Sequence, residues 1–196
     1  MRNITILLPL AFFIGCAGPK GGPDLSPEAN RRTMSGIPEW VQNTPEKEGF
    51  RYESSSATSQ DLQVAIDKAT LGAATRLAAT IESESEAYTE RVIEEVGNVG
   101  GTSDLLDRFK QTQSQTVAKS LKDYRVAKKS IQEENSNGQN IFRAYVLLEW
   151  DEMAAEKRIM DKIKADKEIY DAIRASDLVK EKERKVAEYR KRMNAN

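Results

Sequence analysis

The chain has 196 residues, 31% of them charged, and 30 basic side chains nearly cancel 31 acidic ones to leave a net charge of −1. That balance gives no electrostatic reason to expect nucleic acid as a partner, and the lack of any histidine removes the commonest general base and the commonest metal ligand. Hydrophobic residues at 39% and aromatics at 7% limit the core to a modest size with much solvated surface.

The opening stretch is the most informative. Met1-Arg2-Asn3 carries one positive side chain, Ile4 to Ile14 is almost wholly apolar, and Gly15-Cys16-Ala17-Gly18 follows at once. A basic start, a short greasy core and small residues at the cut are the layout of a secretory signal. The apolar run is about half of what a helix needs to cross a bilayer, so it is poorly suited to remain as a membrane-spanning anchor. Phe13-Ile14-Gly15-Cys16 resembles the lipobox of bacterial lipoproteins, with Phe13 where that motif usually has leucine. The resemblance implies a Cys16 thiol alkylated with diacylglycerol and a cut just before it, so that residues 1–15 are a signal peptide. Cys16 is the sole cysteine, which excludes an internal disulfide in a monomer and fits a lipid acceptor. Two or three acyl chains, at about 0.8 kcal/mol per buried CH2, exceed the marginal hold of a single myristoyl group.

Residues 16–36 read as a lipidated flexible linker, because Gly18, Pro19, Gly21, Gly22, Pro23 and Pro27 punctuate a stretch with no periodicity. Ala17, and not aspartate, follows the cysteine; by resemblance to enterobacterial lipoproteins this implies delivery to the outer membrane, on its periplasmic or surface face. Ile37-Pro38-Glu39-Trp40-Val41 is the first cluster with something to bury, and Trp40 is read as a plug over the edge of a core or as a ligand-stacking platform. Gly49 to Ser56 alternates, with Phe50, Tyr52 and Ser54 on one side and Arg51 and Glu53 on the other, as in a half-buried strand. Thr58-Ser59-Gln60-Asp61 then reads as a helix start. Leu62, Ile66, Ala69, Ala73, Leu77 and Ile81 form one stripe, widened by Ala65, Ala74 and Ala78. Gly72 adds room for close approach, so this helix is expected to lie flat on a sheet. Past Ile81 the stripe thins to Tyr88, Val92 and Val96, and the far end is expected to project beyond the sheet.

Pro38-Glu39-Trp40-Val41, a strand ending in serines, and Ala65-x-x-x-Ala69-x-x-x-Ala73-x-x-Arg76-Leu77-Ala78 together resemble the family of twenty-kilodalton membrane-associated bacterial lipoproteins. The resemblance covers residues 37–81 and the lipoprotein signal. It implies a small α+β domain in the envelope with a structural role and flagellum-associated relatives, and it carries over no catalytic residue.

Gly97-Asn98-Val99-Gly100-Gly101-Thr102 breaks the helix; it lacks the GK[ST] ending of a phosphate-binding loop and follows a helix where that motif follows a strand. A second helix from Thr102 or Ser103 uses Leu105, Leu106, Phe109, Val117 and Leu121, with a polar middle, Gln111 to Gln115, expected to be only partly covered. Lys122–Glu134 and Gln139–Trp150 form a hairpin across Asn137-Gly138, a pair that favours a type I′ turn. Phe142, Ala144, Val146, Leu148 and Trp150 share one face, opposite Ile131 and Ala127, while Ile141, Tyr145 and Leu147 point to the other. That second face calls for a cover, either the second helix or another subunit.

Residues 151–196 are helical in character and heavily charged, with a first stripe of Met153, Met160, Ile163, Ile169, Tyr170 and Ile173. Ala172, Val179, Val186 and Met193 then recur every seven residues, but Ala175, Lys182 and Tyr189 make a poor second seam. A solvated helix held by pairs such as Glu181 with Lys185 and Glu188 with Arg192 is the favoured reading over a coiled coil. The expected fold is thus α+β: a three-stranded antiparallel sheet in β-α-α-β-β-α order on an alanine-rich helix, spanning 37–150, with a long charged C-terminal helix over 151–196.

No constellation for catalysis emerges. A serine or cysteine triad lacks its histidine, no Ser-x-x-Lys is present, and Glu82, Glu84 and Glu86 diverge by about 200° per step on a helix and cannot converge on one metal. The expectation is a protein without enzymatic activity, cofactor or metal, attached to the membrane through lipid on Cys16 and serving a structural or assembly role beside envelope or flagellar proteins. Homo-oligomers are compatible with it. The alternative is a periplasmic binding or regulatory module contacting peptidoglycan or an envelope enzyme.

Overall fold

A computed structural model describes residues 36–97, 103–136 and 139–195, and residues 36–196 make one compact unit. The signal peptide, Cys16, all of the linker except Gly36, and the Asn98–Thr102 stretch of the glycine-rich loop lie outside the described residues.

The architecture is α+β. A short helix α1 (Glu39–Gln42) precedes strand β1 (Phe50–Ser59), helices α2 (Leu62–Val96) and α3 (Ser103–Ser120), a 3-10 turn (Leu121–Asp123) and the strands β2 (Arg125–Ser136) and β3 (Gln139–Asp151). Helices α4 (Glu152–Ala165), α5 (Lys167–Ile173) and α6 (Asp177–Ala195) complete it. The sheet is antiparallel with order β1-β3-β2, so the last strand in sequence is the central one. β1 pairs with β3 from Phe50↔Asp151 to Ser59↔Phe142, and β2 pairs with β3 from Arg125↔Glu149 to Ser136↔Gln139. The latter end leaves two residues for the connection, as a tight hairpin requires, although Asn137 and Gly138 themselves are outside the described residues.

α2 starts one turn later than Thr58 suggests. Asp61 is the N-cap, its side chain accepting from the Val64 N–H at 2.8 Å, while Ser59 Oγ accepts from the Asp61 N–H. Ala65, Ala69, Ala73, Leu77 and Ile81 are buried along one stripe, and Leu62, in its first turn, is exposed. The alanines meet Ala144, Val146 and Leu148 of β3 with no large side chain between. The approach is close enough that a Cβ on Gly72 would stand 2.7 Å from Ser55 Oγ. The helix ends at Gly97, whose φ of 67° is a positive value that glycine adopts without strain and whose N–H donates to the Ile93 carbonyl.

The second half of α2 leaves the sheet, as the thinning stripe predicts, and enters a larger core. Val92 joins Leu106, Phe109 and Val117 of α3, Trp150 of β3, and Ala155, Ile159, Met160, Ile163, Ile169, Ile173, Val179 and Val186 from the three C-terminal helices. The indole of Trp150 donates to the Ser120 carbonyl at 2.8 Å and ties the end of the sheet to the end of α3.

Four expectations change. The second helix does not cover the far face of the sheet; α3 packs on α2, α4 and α5. Tyr145 and Leu147 are buried on that face, where α1 lies against β3 and Gln132 donates to the Gly36 carbonyl. Trp40 therefore belongs to a segment laid over the sheet. In the hairpin, a bulge between Val126 and Lys128 gives the partner position of Leu148 to Val126 and leaves Ala127 without one. On β1 the helix-facing side is that of Arg51, Glu53 and Ser55, which pair with Trp150, Leu148 and Val146, and not the side of Phe50 and Tyr52.

The charged tail is the fourth. Its long C-terminal helix exists, with 19 residues in α6, but it is preceded by two shorter helices. Asp166 caps α5 through the Ile169 N–H at 3.2 Å, and Ser176 caps α6 through the Val179 N–H at 3.4 Å. Each cap breaks the run, and the breaks let α6 fold back on α4. Lys182 pairs with Glu156 and Lys164 with Glu183 across that contact. Of the expected four-apart pairs, Glu181 with Lys185 forms at 3.0 Å, while Arg192 reaches Glu48.

Candidate functional site

Where β3 ends and α2 departs from the sheet, the elements do not close completely. A cleft of about 390 Å³ opens there, lined by Arg51 of β1, side chains of α2 from Ile81 to Arg91, Gln113 and Val117 of α3, Trp150 of β3, and one face each of α4 and α6. Its size lies at the lower end of ordinary small-molecule sites. Ile81, Val117, Trp150, Ala155 and Ile159 form an apolar floor, a direct continuation of the larger core.

The wall is ionic and balanced. Arg51, Arg91, Lys182 and Lys185 stand against Glu84, Glu152, Glu156 and Glu181, four cations and four anions. Arg51 Nη2 donates to Glu84 and to Glu152, each at 2.9 Å, and the hydrogen bond to Glu152 is the main reason its pKa is raised. Lys182 stands 3.9 Å from the ring centroid of Tyr88 while it pairs with Glu156 at 3.2 Å. Burial, with Glu156 and its acidic neighbours adding to it, pushes the Tyr88 hydroxyl well above the ordinary tyrosine range. Lys185 is raised and Glu181 lowered by their mutual hydrogen bond. Arg91 Nε donates to the Ala87 carbonyl of its own helix.

Two polar atoms at this site are buried and unpartnered. Gln113 is 1% exposed; its amide nitrogen donates to Ser85 Oγ at 3.2 Å, but Oε1 receives nothing. Arg51 Nε is also buried without an acceptor, on a side chain that is 41% exposed overall. Each such atom costs about 1–3 kcal/mol relative to a satisfied one.

Neither residue stands out in the sequence as a site. Gln113 sits within the polar run read as partly covered, yet Leu106, Phe109, Gln113, Val117 and Ser120 are spaced by three and four and all are buried. That spacing was the available signal. Arg51 shows none, since it reads as the outward residue of a half-buried strand. Of the three glutamates at 82, 84 and 86, only Glu84 reaches the cleft, and they do not converge. Among the described residues no group of three Cys, Asp or Glu side chains is placed to hold a metal. In the basic run at the C-terminal end, Arg190 pairs with Asp161 and Arg192 with Glu48.

Glu149 forms a separate polar knot on the far face of the sheet. It is 7% exposed, and it accepts from the Tyr52 hydroxyl at 2.5 Å and from Arg125 Nε at 2.7 Å. Burial acts to raise its pKa, and the Tyr52 and Arg125 hydrogen bonds outweigh this to hold it below the usual carboxylate range. It has the geometry of a structural clamp between the two outer strands.

No protein-family profile matches the chain, and no curated protein matches it either.

Proposed function

We propose that this chain is a lipid-anchored envelope lipoprotein with a structural or assembly role, held at the outer membrane by acyl chains on Cys16. The observation that carries the reading is the position of the only cysteine, directly after an apolar run too short to span a bilayer and directly before a glycine- and proline-rich spacer. The likeness to twenty-kilodalton membrane-associated lipoproteins supports it and extends it to envelope or flagellar assemblies. The body offers surface for such a role. Among the described residues neither outer strand has a partner on its far edge, and on β2 Val126 and Ile131 are 48% and 41% exposed. Among the described residues no helix is long and apolar enough to cross a membrane.

The test is Cys16→Ser in the full chain, followed by radiolabelled palmitate and membrane fractionation. Labelling is expected to disappear and the protein to leave the membrane fraction. Unchanged labelling and sedimentation would refute the anchor.

A further inference from the structure

Along β2 the charges run from basic to acidic about a single apolar residue. Lys128 and Lys129 precede Ile131, and Glu133 and Glu134 follow it at mirrored spacings. We propose that two copies of this chain join β2 to β2, antiparallel and centred on Ile131, to make one continuous six-stranded sheet. Ile131 is 41% exposed at this edge, and α2 packs mainly on β1 and β3, which leaves a second sheet room to approach. In that register each Ile131 faces its mate, Lys129 faces Glu133 and Lys128 faces Glu134, with both ion pairs occurring twice across the axis.

Charge selects both the partner and the register. Opposite charges placed across from one another stabilise a strand pair, and like charges so placed destabilise it. Lysines on an edge strand commonly keep other strands away, but here the same strand carries the carboxylates that answer them in a second copy. Only this antiparallel register opposes both lysines to both glutamates. A slip of two residues sets Ile131 against Lys129 or Glu133, and an in-register parallel pair sets lysine on lysine. Among the described residues neither lysine forms an ion pair within its own chain. Glu134 is held by Arg143 at 2.6 Å, whereas Glu133 accepts only from the neutral Asn140 amide, at 2.7 Å, so the Lys129–Glu133 pair is the one with most to gain. Lys129, Ile131 and Glu133 lie on the α2 side of the sheet, opposite Val146, Ala144 and Phe142, and Gln132 on the other side donates to the Gly36 carbonyl. This register keeps the faces of the two sheets aligned. Its two-fold axis is perpendicular to the sheet, and both Gly36 residues lie on one side of the dimer. That placement suits two anchors in one bilayer, yet the pairing itself needs no lipid.

The test uses the full chain carrying Cys16→Ser, purified in detergent, so that an introduced cysteine is the sole thiol and no lipid on residue 16 brings two copies together. Residues directly opposed in an antiparallel pair have Cα atoms about 4.5–5.5 Å apart, within reach of a disulfide. Ile131→Cys is therefore expected to give a disulfide-linked dimer on mild oxidation. Val126→Cys serves as the control, since Val126 is 48% exposed but its two copies would stand about 30 Å apart in this register. Sedimentation equilibrium, with no cysteine introduced, reads the charges. Lys129→Glu and Glu133→Lys are each expected to weaken the dimer about tenfold, because each creates two like-charged pairs. An equimolar mixture of those two variants restores it, as does the double exchange within one chain. A monomer at about 1 mM, equal crosslinking through Val126 and Ile131, or single variants that dimerise as tightly as the parent would each overturn the proposal. Because residue 16 is serine throughout, this outcome is separate from the fate of the lipid anchor.

Discussion

Tyr52 shows how one hydrogen bond sets a pH limit. Its hydroxyl donates to the buried Glu149 carboxylate, and this bond, with burial and the carboxylate's charge, pushes the Tyr52 pKa from 10.0 to about 12. The folded state therefore holds this proton more tightly than the unfolded chain does. The stabilisation is complete below pH 10 and is lost as pH rises toward about 12. In chemical denaturation at a series of pH values, Tyr52→Phe is expected to be less stable than the parent at neutral pH and to lose less stability across that alkaline window. At this scale the sequence was only partly legible. The alternation of Phe50, Tyr52 and Ser54 revealed the strand, but alternation alone does not say which side a helix will choose. A tyrosine that clamps a glutamate from a strand about a hundred residues away leaves no local trace.

Among the elements, α2 is the one most fully written in the chain. Its alanine stripe, Gly72 and the thinning after Ile81 all gave both the sheet contact and the departure from it. Gly72→Ala is a direct check. Alanine gains about 1 kcal/mol in helix propensity, but its Cβ would meet Ser55 Oγ at 2.7 Å, and crowding a packed contact costs about 1–3 kcal/mol. The single substitution is expected to lower stability by about 1 kcal/mol, as measured by urea unfolding. In a Ser55→Ala background the same change is expected to be stabilising, because the helix gain then acts unopposed. The tail was harder to read because two kinds of signal compete in it. Dense mixed charge argues for a solvated helix, while Asp166 and Ser176 are capping residues hidden inside that charge. Caps of a few atoms decided the outcome by turning one long helix into three that can pack together.

At the level of the molecule, the division between a domain ending at Trp150 and an appended helix does not describe how the core is shared. Eight of the fifteen buried residues in the larger core come from α4, α5 and α6. A chain shortened to end at Trp150 is therefore expected to lose its cooperative thermal transition in circular dichroism, and not merely to melt somewhat earlier. Retention of a sharp transition would show that the sheet and α2 suffice by themselves. Periodicity gave this half of the fold its stripes but not their partners, because Ile163 or Val186 can face any apolar surface that the topology brings near. The central position of β3 has a consequence for biogenesis. Neither outer strand has a neighbour until β3 exists, and the Phe50 end of the first waits for Asp151. Such late closure slows folding, since long-separated pairings must be assembled first. A polypeptide of this design cannot close its sheet until Asp151 has been synthesised, so its first strand spends most of translation without a partner.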